Sequence, residues 1–231
     1  MISEKFQGDI NSEAFHQRAN YLGIAIQSEL LNSPGENLHS SFVDLELFFL
    51  SATFHLKNSR ITEGLLCWLK EFGHLLSPAK IRRLISSGEK YDSAILGGLI
   101  EFLIEQNIKR NQWKIIKPFC KKKTQVEQLL VGPVSRKPAT YFLKYRIFAP
   151  QFLLNVEKFL LPTVTIFKNC IELRNRALFG SVVNADVATY LKKNPQSTAY
   201  EISKKTHHHK ARVFEVYKDV SVANQIEFEK A

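Results

Sequence analysis

The sequence predicts a mainly α-helical protein, and three observations carry that expectation. Apolar residues recur at helical spacing through residues 10–107 and again from 151 onward. Start signals such as Ser77-Pro78 and Asp92 stand just ahead of those stripes. Strand-like alternation is confined to Tyr141–Phe148 and to Ile226-Glu227-Phe228-Glu229. The expected organisation is an all-α domain over 1–107 and a basic connector over 108–150. Linking helices and a three-helix unit follow over 151–231, with the core of that unit at 182–231.

In order, Ser12-Glu13 opens a helix through Leu31 whose inward stripe is Phe15, Ala19, Leu22, Ala25 and Ile26, and Asn32-Ser33-Pro34-Gly35 ends it. Ser40 or Ser41 starts a Phe-rich second helix to about Lys57. Thr62 and Glu63 start a third through Phe72. Ser77 caps a short helix, Ala79–Ser86, with Pro78 at its first position, and Asp92 caps another over Ser93–Gln106. Within the last of these, Gly97-Gly98 has no phosphate-loop context and is read as close helix packing. The connector brings Pro118, Gly132, Pro133, Pro138 and Pro150 and a short strand within Tyr141–Phe148, and it is expected to cover a neighbouring surface. Helices then return over Phe152–Leu160 and from Pro162 through Thr163–Phe179, where Gly180 ends the helix.

Composition narrows the class. At 231 residues with 45% hydrophobic and 23% charged side chains, the chain is globular rather than disordered. Its longest compact apolar run, Leu45–Leu50, is interrupted by Glu46, so no membrane span is expected. The acid-bearing N-terminus reads as no secretion signal. Cys67, Cys120 and Cys170 form no CxxC pair, which points to a reducing, cytoplasmic setting without disulfides or a zinc finger.

The net charge of +10 is unevenly spread. Residues 1–107 carry 9 basic and 13 acidic side chains, whereas 108–147 carry 11 basic ones against Glu127 alone. Such a field attracts polyanions without reading sequence.

The last fifty residues carry the functional signal. Three helices are expected: Asn184–Lys193, Ala199–Thr206 behind a Ser197 or Thr198 cap, and one from near His209 to about Val222. About three residues separate the second from the third, the tight turn of a helix-turn-helix. Asn224 then tolerates a turn before the Ile226–Glu229 strand. Three helices and a strand are the order of a winged helix-turn-helix, here with a short or truncated wing.

A major groove about 12 Å wide admits one helix, whose exposed N-terminal residues meet base edges while flanking cations meet phosphates. The candidates for base or groove contact are His208, His209, Lys210, Ala211, Arg212 and Glu215. Lys204, Lys205, Lys192 and Lys193 are the phosphate candidates.

Thr198-Ala199-Tyr200-Glu201-Ile202, followed by Val213, Tyr217, Val220 and Asn224-Gln225-Ile226, resembles the winged helix-turn-helix domains of bacterial and archaeal transcriptional regulators. The lead-in Arg174-Asn175-Arg176-Ala177-Leu178-Phe179-Gly180 with Ala185-Asp186-Val187 is similar to that of uncharacterised regulators with this domain at the C-terminus. Three positions depart from the pattern: His207 replaces a turn glycine, Thr206 an apolar residue and Ser203 an alanine. The resemblance implies a duplex-DNA-binding regulator. Separately, no GxSxG motif and no Cys with a His partner supports nucleophilic catalysis, so neither an enzyme nor a cofactor is expected. Regulators of this kind commonly bind paired half-sites as homodimers, and the Phe-rich N-terminal helices offer either that interface or an effector pocket.

Two alternatives stand beside it. One is a protein–protein adaptor built on the same module. The other is RNA binding through 108–147, with Trp113, Tyr141 and Tyr145 as stacking platforms. Metal binding by His207, His208 and His209 is disfavoured, because adjacent helical residues diverge by about 100°.

Overall fold

A computed structural model describes residues 12–25, 41–130 and 137–228. Residues 26–31 of the expected first helix, its Asn32–Gly35 stop, Ser40, Gly132, Pro133 and Glu229 lie outside the described residues.

The fold is mainly helical. Helix α1, Ser12–Tyr21, ends at Gly23, whose φ of 86° is left-handed and whose missing Cβ leaves room for Ile166. Helix α2, Leu45–Ala52, is shorter than expected because Asp44 caps it, its Oδ1 accepting from the backbone N–H of Glu46 and Leu47. Helix α3, Ser59–Phe72, starts earlier than Thr62 because Asn58 supplies a cap. Helix α4, Pro78–Ser86, and helix α5, Ser93–Glu105, start behind Ser77 and Asp92 as expected. Phe15, Phe48, Phe49, Trp68 and Phe102 fill the core between these helices.

The described parts of the expected connector, 108–130 and 137–150, pack into this body. Trp113, Tyr141, Phe142 and Tyr145 are buried in the same core. Gly97 and Gly98 lie directly against the rings of Tyr145 and Phe142, so the paired glycines serve close packing. The expected strand is mostly helix α6, Thr140–Leu143, and only β2, Ile147–Phe148, remains, pairing in parallel with β1, Glu127–Gln128. The basic surplus is partly neutralised by acids of the preceding segment. Lys117 and Lys144 meet Glu101 at 2.6 and 2.8 Å, and Lys123 meets Asp92 at 2.8 Å.

Beyond them, helix α7 is only Val156–Phe159 of the expected Phe152–Leu160. The single helix expected over Thr163–Phe179 is two, α8 (Thr163–Asn169) and α9 (Ile171–Phe179), broken where Cys170 turns extended. Gly180, at φ 63°, ends α9 as expected. Helices α10 (Val182–Lys193), α11 (Ala199–Thr206) and α12 (Lys210–Phe228) pack on one another around a second, smaller core of Val187, Leu191, Ala199, Ile202, Val213 and Val216.

The wing is where the expectation fails. Ile226 to Phe228, expected as a strand after a turn at Asn224, continue α12. No Gly or Pro stands between Lys210 and Phe228 to stop the helix, and a four-residue alternation is too short to override it. Among the described residues, no helix is long and apolar enough to cross a membrane.

Candidate nucleic-acid interface

Helix α11 is started by a reciprocal cap. The Thr198 hydroxyl accepts from the Glu201 N–H, while the Glu201 carboxylate accepts from the Thr198 N–H at 2.8 Å. Ser203, Thr206 and His207, the three residues noted above as departures from the expected helix-turn-helix pattern, are each accommodated. His207 takes the left-handed conformation, φ 55°, that a glycine would supply. Thr206 is fully buried, and its hydroxyl donates to the Ile202 carbonyl at 2.7 Å. The Ser203 hydroxyl likewise donates to the Tyr200 carbonyl at 2.8 Å. The turn from α11 to α12 is therefore three residues, 207–209, and α12 emerges with its first turn uncovered.

Lys210, Ala211, Arg212 and Glu215 are exposed along the start of α12, with His209 just before it. Lys204 and Lys205 are exposed at the end of α11, and Lys192 at the end of α10. Two aromatic rings that sequence reasoning did not single out as contacts stand among them. Tyr200 and Phe214 are 47% and 40% exposed. The Lys204 ammonium lies 4.5 Å from the Tyr200 ring centre, and Lys210 lies 5.1 Å from Tyr200 and 5.5 Å from Phe214. Lys204 also pulls the Tyr200 phenol below its ordinary value, by hydrogen bond and then by charge. Arg212 pairs with Glu215 at 2.6 Å on the open surface, a contact that competes little with a phosphate. Lys204 and Lys210 thus lie near aromatic rings on a face that is otherwise water-exposed.

His208 and Lys193 are corrections to the expected contact set. His208 is 6% exposed, with Nε2 2.8 Å from Asp186 Oδ2 and Nδ1 3.1 Å from Arg83 Nη2. Both ring nitrogens are occupied, so it cannot meet a base edge. Arginine only donates, which makes Nδ1 the acceptor and leaves Nε2–H to donate to Asp186. Lys193 is turned inward, giving hydrogen bonds to Glu172 and the Ser41 carbonyl, both at 2.7 Å. The three histidines diverge: His207 in the turn, His208 buried, His209 exposed.

His208 belongs to a buried ionic cluster that joins the two cores. Lys80 on α4, fully buried, lies 2.7 Å from Asp44, 3.3 Å from Glu46 and 2.8 Å from Asp186. Arg176 on α9 grips two carboxylates with one guanidinium. Its Nε and Nη2 donate to Asp186 at 2.7 and 2.9 Å, and its Nη1 and Nη2 donate to Glu46, both at 2.9 Å. Three carboxylates thus face Lys80, Arg176 and, through neutral His208, Arg83, so the formal charges balance.

Burial opposes ionisation throughout this cluster, yet the pairing prevails at most positions. Glu46 is brought down to about 2 by Arg176 and Lys80 against the cost of burial. Asp186 is held well below the carboxylate range by the same two cations and His208. Asp44 is raised, because burial and the neighbouring carboxylates outweigh Lys80. Burial pushes His208 below its ordinary value despite Asp186.

The α9–α10 contact extends the same chemistry as a ladder of three polar pairs: Glu172 with Lys193, Asn175 with Thr189 at 2.9 Å, and Arg176 with Asp186. Residues 186, 189 and 193 share one face of α10, while Val187 and Leu191 on another face pack toward α11 and α12. The cluster therefore fixes how the three-helix unit sits on the front body. Of its members, Arg176 and Asp186 stand in the quoted lead-in, but polar residues at inward positions break the apolar stripe that sequence reasoning follows.

The RNA alternative loses its platforms. Trp113, Tyr141 and Tyr145, proposed for stacking, are 0%, 4% and 8% exposed. Comparisons with protein-family models, curated proteins and solved structures returned no match.

Proposed function

We propose that this chain is a non-enzymatic DNA-binding protein, a cytoplasmic transcriptional regulator that reads duplex DNA with the N-terminal part of α12. It is a helix-turn-helix whose third helix is prolonged where a wing strand was expected. The observation that carries the reading is the uncovered first turn of α12, bearing Lys210, Ala211 and Arg212, with Lys204 and Lys205 across a three-residue turn. Helix α11, packed against α12 through Ile202, Val213 and Val216, supplies the brace such a helix needs in a groove. The buried cluster keeps that brace at one angle to the rest of the chain.

The test is the double variant Lys210→Glu/Arg212→Glu, measured by fluorescence anisotropy on duplex DNA. Both side chains are exposed, so circular dichroism and melting stay as in wild type while duplex affinity falls at least tenfold. Unchanged affinity removes α12 as the recognition helix.

A protein-contact module is the second reading, and exposed Tyr200 and Phe214 favour it. Against it, lysine ammoniums lie over both rings. Binding of nucleic acid that barely responds to salt would select it, since phosphate contacts release counterions.

A further inference from the structure

The front of the chain is acid-rich, yet residues 78–88 carry Lys80, Arg82 and Arg83 and no acid. The structure divides these three cations. Lys80 is taken inward by the buried cluster, while Arg82 and Arg83 are exposed. Both arginines line an open groove of about 530 Å³ with Ala79, Ser86, Ser87 and Ile115. Ser86 stands four residues after Arg82 and three after Arg83, which puts all three on one side of α4.

The groove is not remote from the recognition helix. Arg83 Nη2 is 3.1 Å from His208 Nδ1, and His208 is two residues before Lys210. One N–H of Arg83 is used there, leaving four of its five donors. Arg82 makes no hydrogen bond or ion pair among the described residues. The turn Gln112–Ile115, packed on α4, adds exposed Lys114 beside this surface. Glu89, just past the end of α4, is an acid whose charge reaches His207.

We infer that the α4 groove is a second phosphate-binding surface, in which Arg82, Arg83 and Ser86 hold the DNA backbone flanking the groove entered by α12. The inference rests on the DNA reading above and extends it: the front domain itself contributes to the footprint. Guanidinium groups suit phosphate because their donors form a planar fork. Contacts of this kind add affinity and salt dependence but carry no base preference.

The test uses Arg82→Gln in the full chain, because Arg83 also supports His208. Affinity for duplex DNA is measured across a salt series, together with the preferred sequence. The expected result is weaker binding to every duplex alike and a salt slope smaller by about 1, with the preferred sequence unchanged. Wild-type affinity and slope in R82Q overturn the inference while leaving α12 binding intact. Absence of duplex binding by the wild-type chain overturns the DNA reading and this inference together.

Discussion

Arg176 holds Asp186 with two parallel hydrogen bonds, 2.7 Å from Nε and 2.9 Å from Nη2, and with the same guanidinium holds Glu46 130 residues earlier in the chain. One side chain on α9 thereby ties α2 to α10, the helix on which the proposed recognition pair is built. Such a cluster is costly to assemble and more costly to break, because each lost partner leaves a buried charge.

Replacing Arg176 by Met should therefore destabilise the protein by about 3–5 kcal/mol, the usual range for opening a buried ion network. Arg176→Lys restores only part of this, since an ammonium cannot make both forks. Urea unfolding at pH 7 reads both. A loss below about 1 kcal/mol in Arg176→Met would mean that the cluster does not join the two cores.

The pH dependence follows from His208, which faces Asp186, Arg83, Lys80 and Arg176. Burial holds its folded pKa below the ordinary 6.5, so the unfolded chain takes the proton first. The stability it contributes is complete above pH 6.5 and is lost as pH falls toward the depressed folded value. Glu46, at about 2 against 4.5, adds a second loss between those values, and raised Asp44 works in the opposite sense. Melting temperature should fall from pH 7 to 5 in the wild type and change less in His208→Gln. Parallel curves for the two proteins would show that His208 does not titrate in this way.

Gly98→Ala should cost about 1–3 kcal/mol, because the added methyl enters the Phe142 ring and the core must move. Thermal melting gives the value, and a neutral effect would mean that 137–150 does not pack on α5 as described.

Much of this architecture was legible in the sequence where local chemistry decides it. Ser77-Pro78, Asp92, Thr198 with Glu201, and Gly180 each set a helix end by satisfying backbone groups within a few residues. The three-residue turn and the exposed Lys210 and Arg212 followed from the same local signals. Asn224-Gln225-Ile226 misled, because a short alternating tail looks alike in a strand and in an unbroken helix. His208 and Lys193 misled for another reason. Their charge suggests solvent, and only the distant Asp186, Arg83 and Glu172 show why they turn inward. Trp113, Tyr141 and Tyr145, expected as stacking platforms, are instead buried in the core, Tyr145 against Gly97 on α5.

The central claim is that α12 reads duplex DNA, and the most direct measurement is binding of the full chain to a labelled duplex library across a salt series, with single-stranded RNA as competitor. The account predicts tight binding that falls steeply with salt, enriches one discrete duplex sequence and resists the RNA. No duplex binding at low salt, or binding that RNA displaces and that enriches nothing, would contradict it.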